Sequence, residues 1–314
     1  MPELDKIDET SKEDEYSVHL KSVSSRRDDD QIDSSEQQVT SENNHSESGA
    51  TLESSQTQRN TRMNLRAKLW RIMCKIDELK SSLIQEYREK GTEVTSGTEL
   101  FNYLKSQPSE ENTYKINKDL PRTCIGNTDF KIDPSSGNNQ LYNVLLAYAN
   151  YDKEIGYCQG MNFIVALLIK HLENEEDAFY CMVHIMKCHD WRACYDMYTS
   201  KQVKLIEFLE CVLETAWPEV YEHIMTEIEI SLVPVFASLI STIFIYDSPE
   251  SVSTHIFDVF LLDGESAIFT LLLKMIELKE ETIMNTYEHD LLKYIRSVMS
   301  RECLEQINMS VLMD

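Results

Sequence analysis

Residues 139–172 read NQLYNVLLAYANYDKEIGYCQGMNFIVALLIKHL and contain two apolar helical patterns joined by a short polar loop. In the first pattern, apolar residues recur at i, i+3, i+4 and i+7, the spacing of one helix face: Leu141, Val144, Leu145 and Tyr148. The second pattern, residues 161–171, is strongly apolar along its whole length. The stretch therefore predicts two helices, with the loop Gly156–Gly160 between them.

Helical patterns cover most of the chain from about Thr61 onward. They occupy residues 64–79, 139–151, 161–171, 174 onward, 201–215, 218–226, 230–246, 250–262, 265–278 and 281–297. Convincing period-2 alternation is absent, and so is a repeat of 20–50 residues. Glycine (8) and proline (7) are scarce, which argues against β-propellers and low-complexity arrays. We predict an all-α domain of a dozen or more helices.

Residues 1–60 have a composition that cannot form a core. They contain 15 acidic and 6 basic residues, twelve serines and a single aromatic residue, Tyr16. Because so little apolar surface is available to offset the entropy of ordering, we predict a disordered, acidic, Ser-rich tail. The domain then covers residues 61–314, which carry −15 of the net charge of −24.

The charge and the cysteines narrow the classes of partner and compartment. A net charge of −24 repels a phosphate backbone, so we expect no broad nucleic-acid binding. The eight cysteines form no C-x-x-C pair, and the N-terminus lacks the basic and apolar regions of a secretory signal. Both features indicate free thiols in a reducing, cytoplasmic environment.

One stretch resembles a membrane span in composition. Residues 230–246, ISLVPVFASLISTIFIY, carry no charge but fall short of the roughly 20 residues that a bilayer needs. The stretch also contains Pro234, and acidic rather than basic residues flank it. We predict a buried core helix here and no transmembrane segment.

Motifs of self-contained chemistry are missing. The sequence has no G-x-x-x-x-G-K-[ST], G-x-G-x-x-G, H-E-x-x-H or G-x-S-x-G string. The nearest approach to a metal site is a set of thiols and imidazoles: Cys181, His184, Cys188, His189 and Cys194. Because the first three lie on one helical face among apolar residues, we interpret them as core residues, and we predict no metal and no cofactor of the protein's own.

The segment between the first helix and residue 139 differs from its surroundings. From Ile116 it reads INKDLPRTCIGNTDFKIDPSSGNN, and its glycines and prolines predict an irregular loop in which Pro121 disfavours helical geometry at Leu120. Residues 115–131 carry a net charge of +2 inside an acidic chain, the sign that a phosphate would seek. Loops on rigid scaffolds often present reactive side chains.

Three strings together resemble the TBC domain, the catalytic unit of Rab GTPase-activating proteins. They are Arg66-x-x-x-Trp70, Ile116-x-x-Asp119-x-x-Arg122-Thr123 and Tyr157-Cys158-Gln159-Gly160. The resemblance covers about residues 62–300 and continues into IFIYDSPESVSTHIFDVFLLDGESAIF of the C-terminal half. It implies a V-shaped, all-α domain of two helical subdomains, with a catalytic half at about 61–200 and a second helical half at about 201–314.

The resemblance also implies roles for individual residues. Arg122 would be an arginine finger and Gln159 a glutamine finger, both supplied in trans to a GTP-bound Rab GTPase that carries the GTP and Mg²⁺. Supporting positions in the two loops would be Ile116, Asp119, Thr123, Tyr157 and Gly160, and Gly156 with Gly160 would let the Gln159 backbone approach the partner. Arg66 and Trp70 would be structural. Recruitment to endomembranes through the partner, in vesicle trafficking and intracellular protein transport, would follow.

The sequence departs from the usual family pattern at two places, and two other functions are alternatives to GTPase activation. Leu239-Ile240 stand where a Trp-aromatic pair is common, and Phe257 stands where a Trp is common. All three are interpreted as packing positions, as are Trp191 and Trp217. The alternatives are a catalytically silent helical module that binds a Rab as a scaffold, and a helical enzyme that acts on phosphorylated small molecules through the basic segment 115–131.

Overall fold

The computed structural model describes residues 65–125, 128–129, 139–172, 174–196, 201–229, 231–246 and 248–306. The predicted tail, residues 1–60, lies outside these residues, as do Gly126, Lys131, Pro134 and Gly137 of the irregular segment. All described residues belong to one compact unit, Glu53–Asp314.

Fourteen helices build the described part of the chain, which confirms the all-α prediction. In the N-terminal part they are α1 (65–73), α2 (Ile76–Glu89), α3 (Gly97–Ser106), α4 (Glu110–Asp119), α5 (Gln140–Tyr151), α6 (Met161–Leu172) and α7 (Glu175–Cys188). In the C-terminal part they are α8 (Lys201–Ala216), α9 (Pro218–Ile228), α10 (Val233–Ser241), α11 (Glu250–Asp263), α12 (Glu265–Met284), α13 (Glu288–Ser297) and α14 (Met299–Gln306).

Short elements complete the chain between the helices. The 3-10 turns Leu120–Arg122 and Trp191–Cys194 follow α4 and α7 respectively. After the first turn, β1 (Cys124–Ile125) pairs antiparallel with β2 (Thr128–Asp129), Cys124 opposite Asp129. This small strand pair is an addition to the fold that the sequence did not predict.

Side-chain caps fix the starts of α5 and α7. The Asn139 side chain accepts a hydrogen bond from the Tyr142 backbone N–H at 3.2 Å, and Asn174 accepts one from the Asp177 N–H at 3.0 Å. Each cap satisfies a backbone donor that the first helical turn leaves unpaired. The helix predicted from residue 174 onward therefore begins at this cap.

The core is centred on α5, α6 and α7. All residues of α6 except Lys170 are buried, and α7 is buried from Asp177 to Met186. Because α6 is covered on every side, its sequence is apolar throughout rather than striped. Leu239, Ile240 and Phe257 are at most 2% exposed, so the departures from the family pattern do occupy packing positions.

Several predicted helix boundaries are wrong where the backbone turns left-handed. The helix predicted over 64–79 breaks at Cys74–Lys75, where Lys75 has φ +47°, and the one predicted over 230–246 ends at Ser241, shortly before Ile243 and Phe244, with φ +53° and +57°. Apolar composition cannot locate such residues. Conversely, α12 runs without a break through 279–280, where Glu280 is exposed and Lys279 pairs with Glu302 of α14 at 2.9 Å.

No single described helix is both long and apolar enough to cross a membrane. By length and composition alone, α9 and α10 qualify together, as a pair bent by 106°.

The N-terminal helix α1 is held by a carboxylate near the other end of the chain. The Trp70 indole N–H donates to Asp258 Oδ1 at 2.7 Å, and the Arg66 guanidinium lies 3.2 Å from Asp258 Oδ2. The Trp70 ring is 1% exposed and packs at 4.7 Å from Phe257 and 5.1 Å from His171 between ring centroids. Arg66 and Trp70 are therefore structural, and they tie α1 to both α6 and α11.

Candidate functional site

The 3-10 turn Leu120–Arg122, here called the arginine turn, directly follows α4. Ile116 is fully buried in the last turns of α4, and Leu120 is 3% exposed, so both anchor the segment in the core. The expectation of an irregular loop from Ile116 is wrong, and so is the expectation for Leu120, which is helical with φ −54° and ψ −49°. Pro121 is accommodated because the start of a helical turn needs no backbone N–H donor there.

Arg122 is presented at the surface by a buried acid. Its Nη2 donates to Asp119 Oδ1 at 2.5 Å, while the arginine side chain remains 35% exposed and the aspartate residue is 4% exposed. The other carboxylate oxygen of Asp119 accepts from the Tyr157 hydroxyl at 2.7 Å. Asp119 thus connects the arginine turn to the loop that carries Gln159.

The hydroxyl of Tyr157 is held in its protonated form. Burial, reinforced by the negative charge of Asp119, raises the pKa of Tyr157 far above its usual value. A protonated phenol at 2.7 Å from a carboxylate is a steady hydrogen-bond donor. Tyr157 therefore braces the two loops against each other.

A second connection between the loops runs through Asn162. Its Nδ2 donates to Thr123 Oγ1 at 2.8 Å, and its Oδ1 accepts from the Gly160 backbone N–H at 3.0 Å. Thr123 in turn donates from its hydroxyl to the Asp119 carbonyl at 2.8 Å. One buried amide, 1% exposed, thereby fixes the residue after Arg122 and the residue after Gln159.

Gln159 is the exposed residue of its loop. Within the described residues its side-chain amide has no hydrogen-bond partner. The turn is satisfied by Asn112 instead, whose Oδ1 accepts from the Tyr157 backbone N–H at 2.9 Å and whose Nδ2 donates to Ser109 at 2.8 Å. The Gln159 side chain therefore takes no part in satisfying the backbone of this turn.

The two glycines of the Gln159 loop are required by the backbone conformation and packing of this chain itself. Gly156 has φ +64°, and a Cβ there would lie 2.8 Å from Asn112 Oδ1. Gly160 has φ +104°, and a Cβ there would lie 3.4 Å from the Thr242 methyl group. Side chains are disfavoured at both positions before any partner is considered.

Asn112 and Asn162 are the site residues that sequence reasoning missed. Asn162 stands in the first turn of α6, which is buried almost throughout, and a polar residue there needs partners within the protein. That requirement was a usable signal for Asn162. Asn112 lies in a polar helix, and nothing in its local sequence distinguishes it from a solvated residue.

The predicted set of thiols and imidazoles does not assemble into a site. Cys181 is fully buried with its Sγ 2.9 Å from Cys74 Sγ, whereas Cys188, on the same helix, is exposed. The described residues contain no group of three or more His, Cys, Asp or Glu that could hold a metal ion. The core interpretation is right for Cys181 and His184 and wrong for Cys188.

The tryptophans predicted to be core residues behave differently from each other. Trp191 is fully buried, whereas Trp217 is only half-buried against the core.

The sequence model of the Rab-GTPase-TBC domain matches residues 63–284, which is most of the chain and includes both loops of the site. The chain belongs to the Rab-GTPase-TBC domain family. Among its relatives, Rab GTPase-activating protein eat-17 of Caenorhabditis elegans is 32% identical over 182 residues, 58% of this chain and 20% of that protein. The human Ecotropic viral integration site 5 protein homolog is 28% identical over 187 residues, 60% of this chain and 23% of that protein. The chain thus matches only about a fifth of the length of these relatives.

Solved structures of TBC domains share the fold. The Chlamydomonas flagellar RabGAP TBC domain aligns with a TM-score of 0.61 at 14% identity, covering 100% of this chain and 97% of that one. The Ypt/Rab-GAP domain of Gyp1p aligns with a TM-score of 0.59 at 14% identity, covering 80% and 86%. At this identity the likeness concerns the fold alone.

Proposed function

We propose that this TBC domain is a GTPase-activating protein for a Rab-family GTPase, with Arg122 as an arginine finger and Gln159 as a glutamine finger. The observation that carries the proposal is the pairing of the two loops. Arg122 and Gln159 are both exposed, and buried Asp119–Tyr157 and Thr123–Asn162 contacts hold their loops together. Names of relatives that include Rab GTPase activation support the same function.

Arginine suits the charge that develops during GTP hydrolysis. Its guanidinium is planar, permanently charged and able to donate to two phosphate oxygens at once. Only its Nη2 binds Asp119 among the described contacts, so other N–H donors remain for a phosphate. An arginine finger contributes a factor of roughly 10³–10⁵ to the rate.

Glutamine suits the water that attacks the phosphate. Its amide oxygen can accept from the water, and its amide nitrogen can donate to nearby backbone groups, which fixes the direction of attack. The unpartnered amide of Gln159 is available for this role. In this mechanism the GTP-bound partner supplies GTP and Mg²⁺, and the TBC domain supplies only side chains.

The cellular setting follows from the proposed partner. We place the protein in the cytoplasm, recruited to endomembranes by the GTPase that it acts on, within vesicle trafficking.

The alternatives differ from this function in their measurable activity. A silent Rab-binding scaffold would bind the GTPase without accelerating hydrolysis, and the exposure of both finger residues argues against it. An enzyme for phosphorylated small molecules would turn its substrate over without any GTPase present, and the sequence contains no nucleotide or metal motif that such an enzyme would use.

Single-turnover GTP hydrolysis across a panel of Rab GTPases tests the function. We expect the wild-type domain to accelerate at least one of them and Arg122→Ala to lose roughly 10³-fold or more of that acceleration. Arg122→Lys should be nearly as poor, because an ammonium cannot form the two-pronged contact. Arg301→Ala, which alters an exposed arginine on α14, is the control and should match the wild type.

The glutamine finger has its own test. If Gln159 orients the water, a GTPase whose own switch glutamine is replaced by leucine should still be stimulated substantially. Gln159→Ala should lower the rate while leaving the melting temperature unchanged, since the amide has no partner in the described fold. Full activity of either finger variant would show that the residue has been misassigned.

A further inference from the structure

We propose that the outward face of α4 is a second contact surface for the same GTPase and helps to select it. This surface, the α4 ridge, consists of Tyr114, Lys118 and Pro121. It would take a face of the GTPase that offers a carboxylate to Lys118 and apolar surface to Tyr114. The assignment rests on the proposed function, because it places the partner over Arg122.

The α4 ridge runs directly into the finger. Tyr114, Lys118 and Pro121 follow one another at i, i+4 and i+7, and all three are exposed, as is Arg122. At a rise of 1.5 Å per residue, Tyr114 lies about 12 Å along the helix from Arg122. The surface from Tyr114 to the finger is therefore continuous.

A protein interface of ordinary size, if centred near Arg122, is large enough to cover the α4 ridge. A specific interface buries about 800 Å² on each side, which corresponds to a disc of roughly 16 Å radius. A GTPase that receives the Arg122 guanidinium at its phosphates must surround that side chain. A footprint of this size, centred near Arg122, reaches Lys118 and Tyr114.

The side chains exposed on the α4 ridge are of the types that are enriched in protein interfaces. Tyr114 is 67% exposed, although a tyrosine has much apolar surface to bury, and Lys118 Nζ lies 5.3 Å from the centre of its ring. Tyrosine is enriched among residues that dominate binding energy, and a cation beside it adds charge recognition.

Lys118 is also the cation of α4 that is available for a partner. Lys115 is paired with Glu111 and Arg122 with Asp119, whereas Lys118 has no carboxylate partner in the part of the chain that the structure describes. Residues 61–314 carry −15 overall, so a positive site here is a local exception. Such a charge at an interface edge steers association and rejects partners of the same sign.

The test compares Lys118→Glu and Tyr114→Ala with matched controls in GTPase activation. Lys90→Glu is the control for charge, because Lys90 Nζ also lies 5.3 Å from a tyrosine ring, that of Tyr87, on α2. Tyr287→Ala is the control for the aromatic residue, since Tyr287 is 57% exposed in the C-terminal part. The melting temperature of each variant is measured alongside.

We expect both ridge variants to lower kcat/KM about tenfold while kcat at saturating GTPase stays within about twofold, because an edge contact acts on association. Added salt should narrow the difference between Lys118→Glu and the wild type. The controls should match the wild type in both parameters.

Two results for Lys118→Glu and Tyr114→Ala would contradict the proposed role of the α4 ridge. One is kcat/KM values equal to those of the control variants, and the other is a loss confined to kcat. Its failure is distinguishable from failure of the proposed function. If Arg122→Ala is inactive while the ridge variants are normal, only the ridge is wrong. If no GTPase in the panel is accelerated or bound in its GTP-analogue form, both are wrong.

Discussion

At the scale of single residues, Asn162 shows how one amide can align two reactive loops. It holds the Thr123 hydroxyl on one side and the Gly160 N–H on the other. Movement of either loop would break one of these bonds in a site where water cannot replace it. We therefore regard Asn162 as a positioning residue for Arg122 and Gln159, which themselves face outward.

Asn162→Ala should lower both stability and rate. Loss of its hydrogen bonds to Thr123, Gly160 and Tyr157 should cost about 1–3 kcal/mol in the free energy of unfolding. GTPase activation should fall further than the unfolded fraction explains. Combined with Thr123→Val, the effects on the rate should be non-additive, since residues in one hydrogen-bond network couple.

Asn150→Ala is the matched control for this prediction. Asn150 is another buried asparagine, 6% exposed, and its Nδ2 donates to the Leu104 and Gln107 carbonyls, both at 3.0 Å. Its replacement should cost similar stability, measured by urea unfolding, but leave the rate of the folded protein intact. Equal rate losses in both variants would reduce Asn162 to a stability residue.

Sequence reasoning named Arg122 and Gln159 through short motifs that carry meaning only together, and it did not name Asn112. Asn112 acts through contacts with Gly156 and Tyr157, more than 40 residues away along the chain. Pairings of this kind depend on how helices pack, which a local pattern does not contain.

At the scale of the helices, one carboxylate of α11 binds two residues of α1. Asp258 accepts the indole N–H of Trp70 and pairs with Arg66. Asp258→Ala would leave the indole N–H of a buried ring without its partner. We expect a loss of about 1–3 kcal/mol in the free energy of unfolding.

Urea unfolding measures this loss, with Asp263→Ala as the control. Asp263 lies in the last turn of the same helix and is exposed. Removing a negative charge there should be neutral or slightly stabilising, because the C-terminal end of a helix is itself negative. Equal stability of the two variants would contradict the role given to Asp258.

Helix positions were predictable where apolar spacing was regular, as in α5, and failed where the spacing was uninformative. In residues 230–246 nearly every position is apolar, so nothing marked the end of α10 at Ser241. In α12 the helix continues through a polar run near residue 280, in which Lys279 pairs with Glu302 of α14, and the change in composition was misread as a break. The strand pair β1–β2 is too short to show alternation.

At the scale of the whole molecule, buried histidines make the fold sensitive to acid. His171 is 5% exposed, and burial, with the nearby positive charge of Arg66, lowers its pKa to about 4 despite the opposing Glu250 and Asp258. Burial likewise lowers the pKa of His184 to about 4. The folded protein therefore keeps both rings neutral where an unfolded chain would bind protons.

The sign of the pH dependence follows directly. Below about pH 6.5, His171 and His184 bind protons in the unfolded state but stay neutral in the folded state. The free energy of unfolding therefore falls as the pH is lowered to about 4. His171 alone should account for about 2–3 kcal/mol of this loss. Urea unfolding at several pH values should show a shallower slope for His171→Asn than for His255→Asn, which alters an exposed histidine. Identical slopes would contradict this prediction.

The overall architecture was the most predictable level, because three motifs spread over the chain all fit one family. What neither composition nor motif could supply was the link between the two ends of the domain. Arg66 and Asp258 are 192 residues apart, and nothing in the sequence around either residue indicates that the two are in contact.

That link has a consequence for the order in which the protein can mature. During synthesis, α1 leaves the ribosome long before the aspartate that must receive it exists. At about 5–20 residues per second, the Trp70 indole waits roughly 10–40 s for Asp258. During that interval the Trp70 indole N–H and the Arg66 guanidinium lack the carboxylate that they bind in the folded protein. The contacts of Trp70 and Arg66 with Asp258 are thus formed late, although α1 is made early.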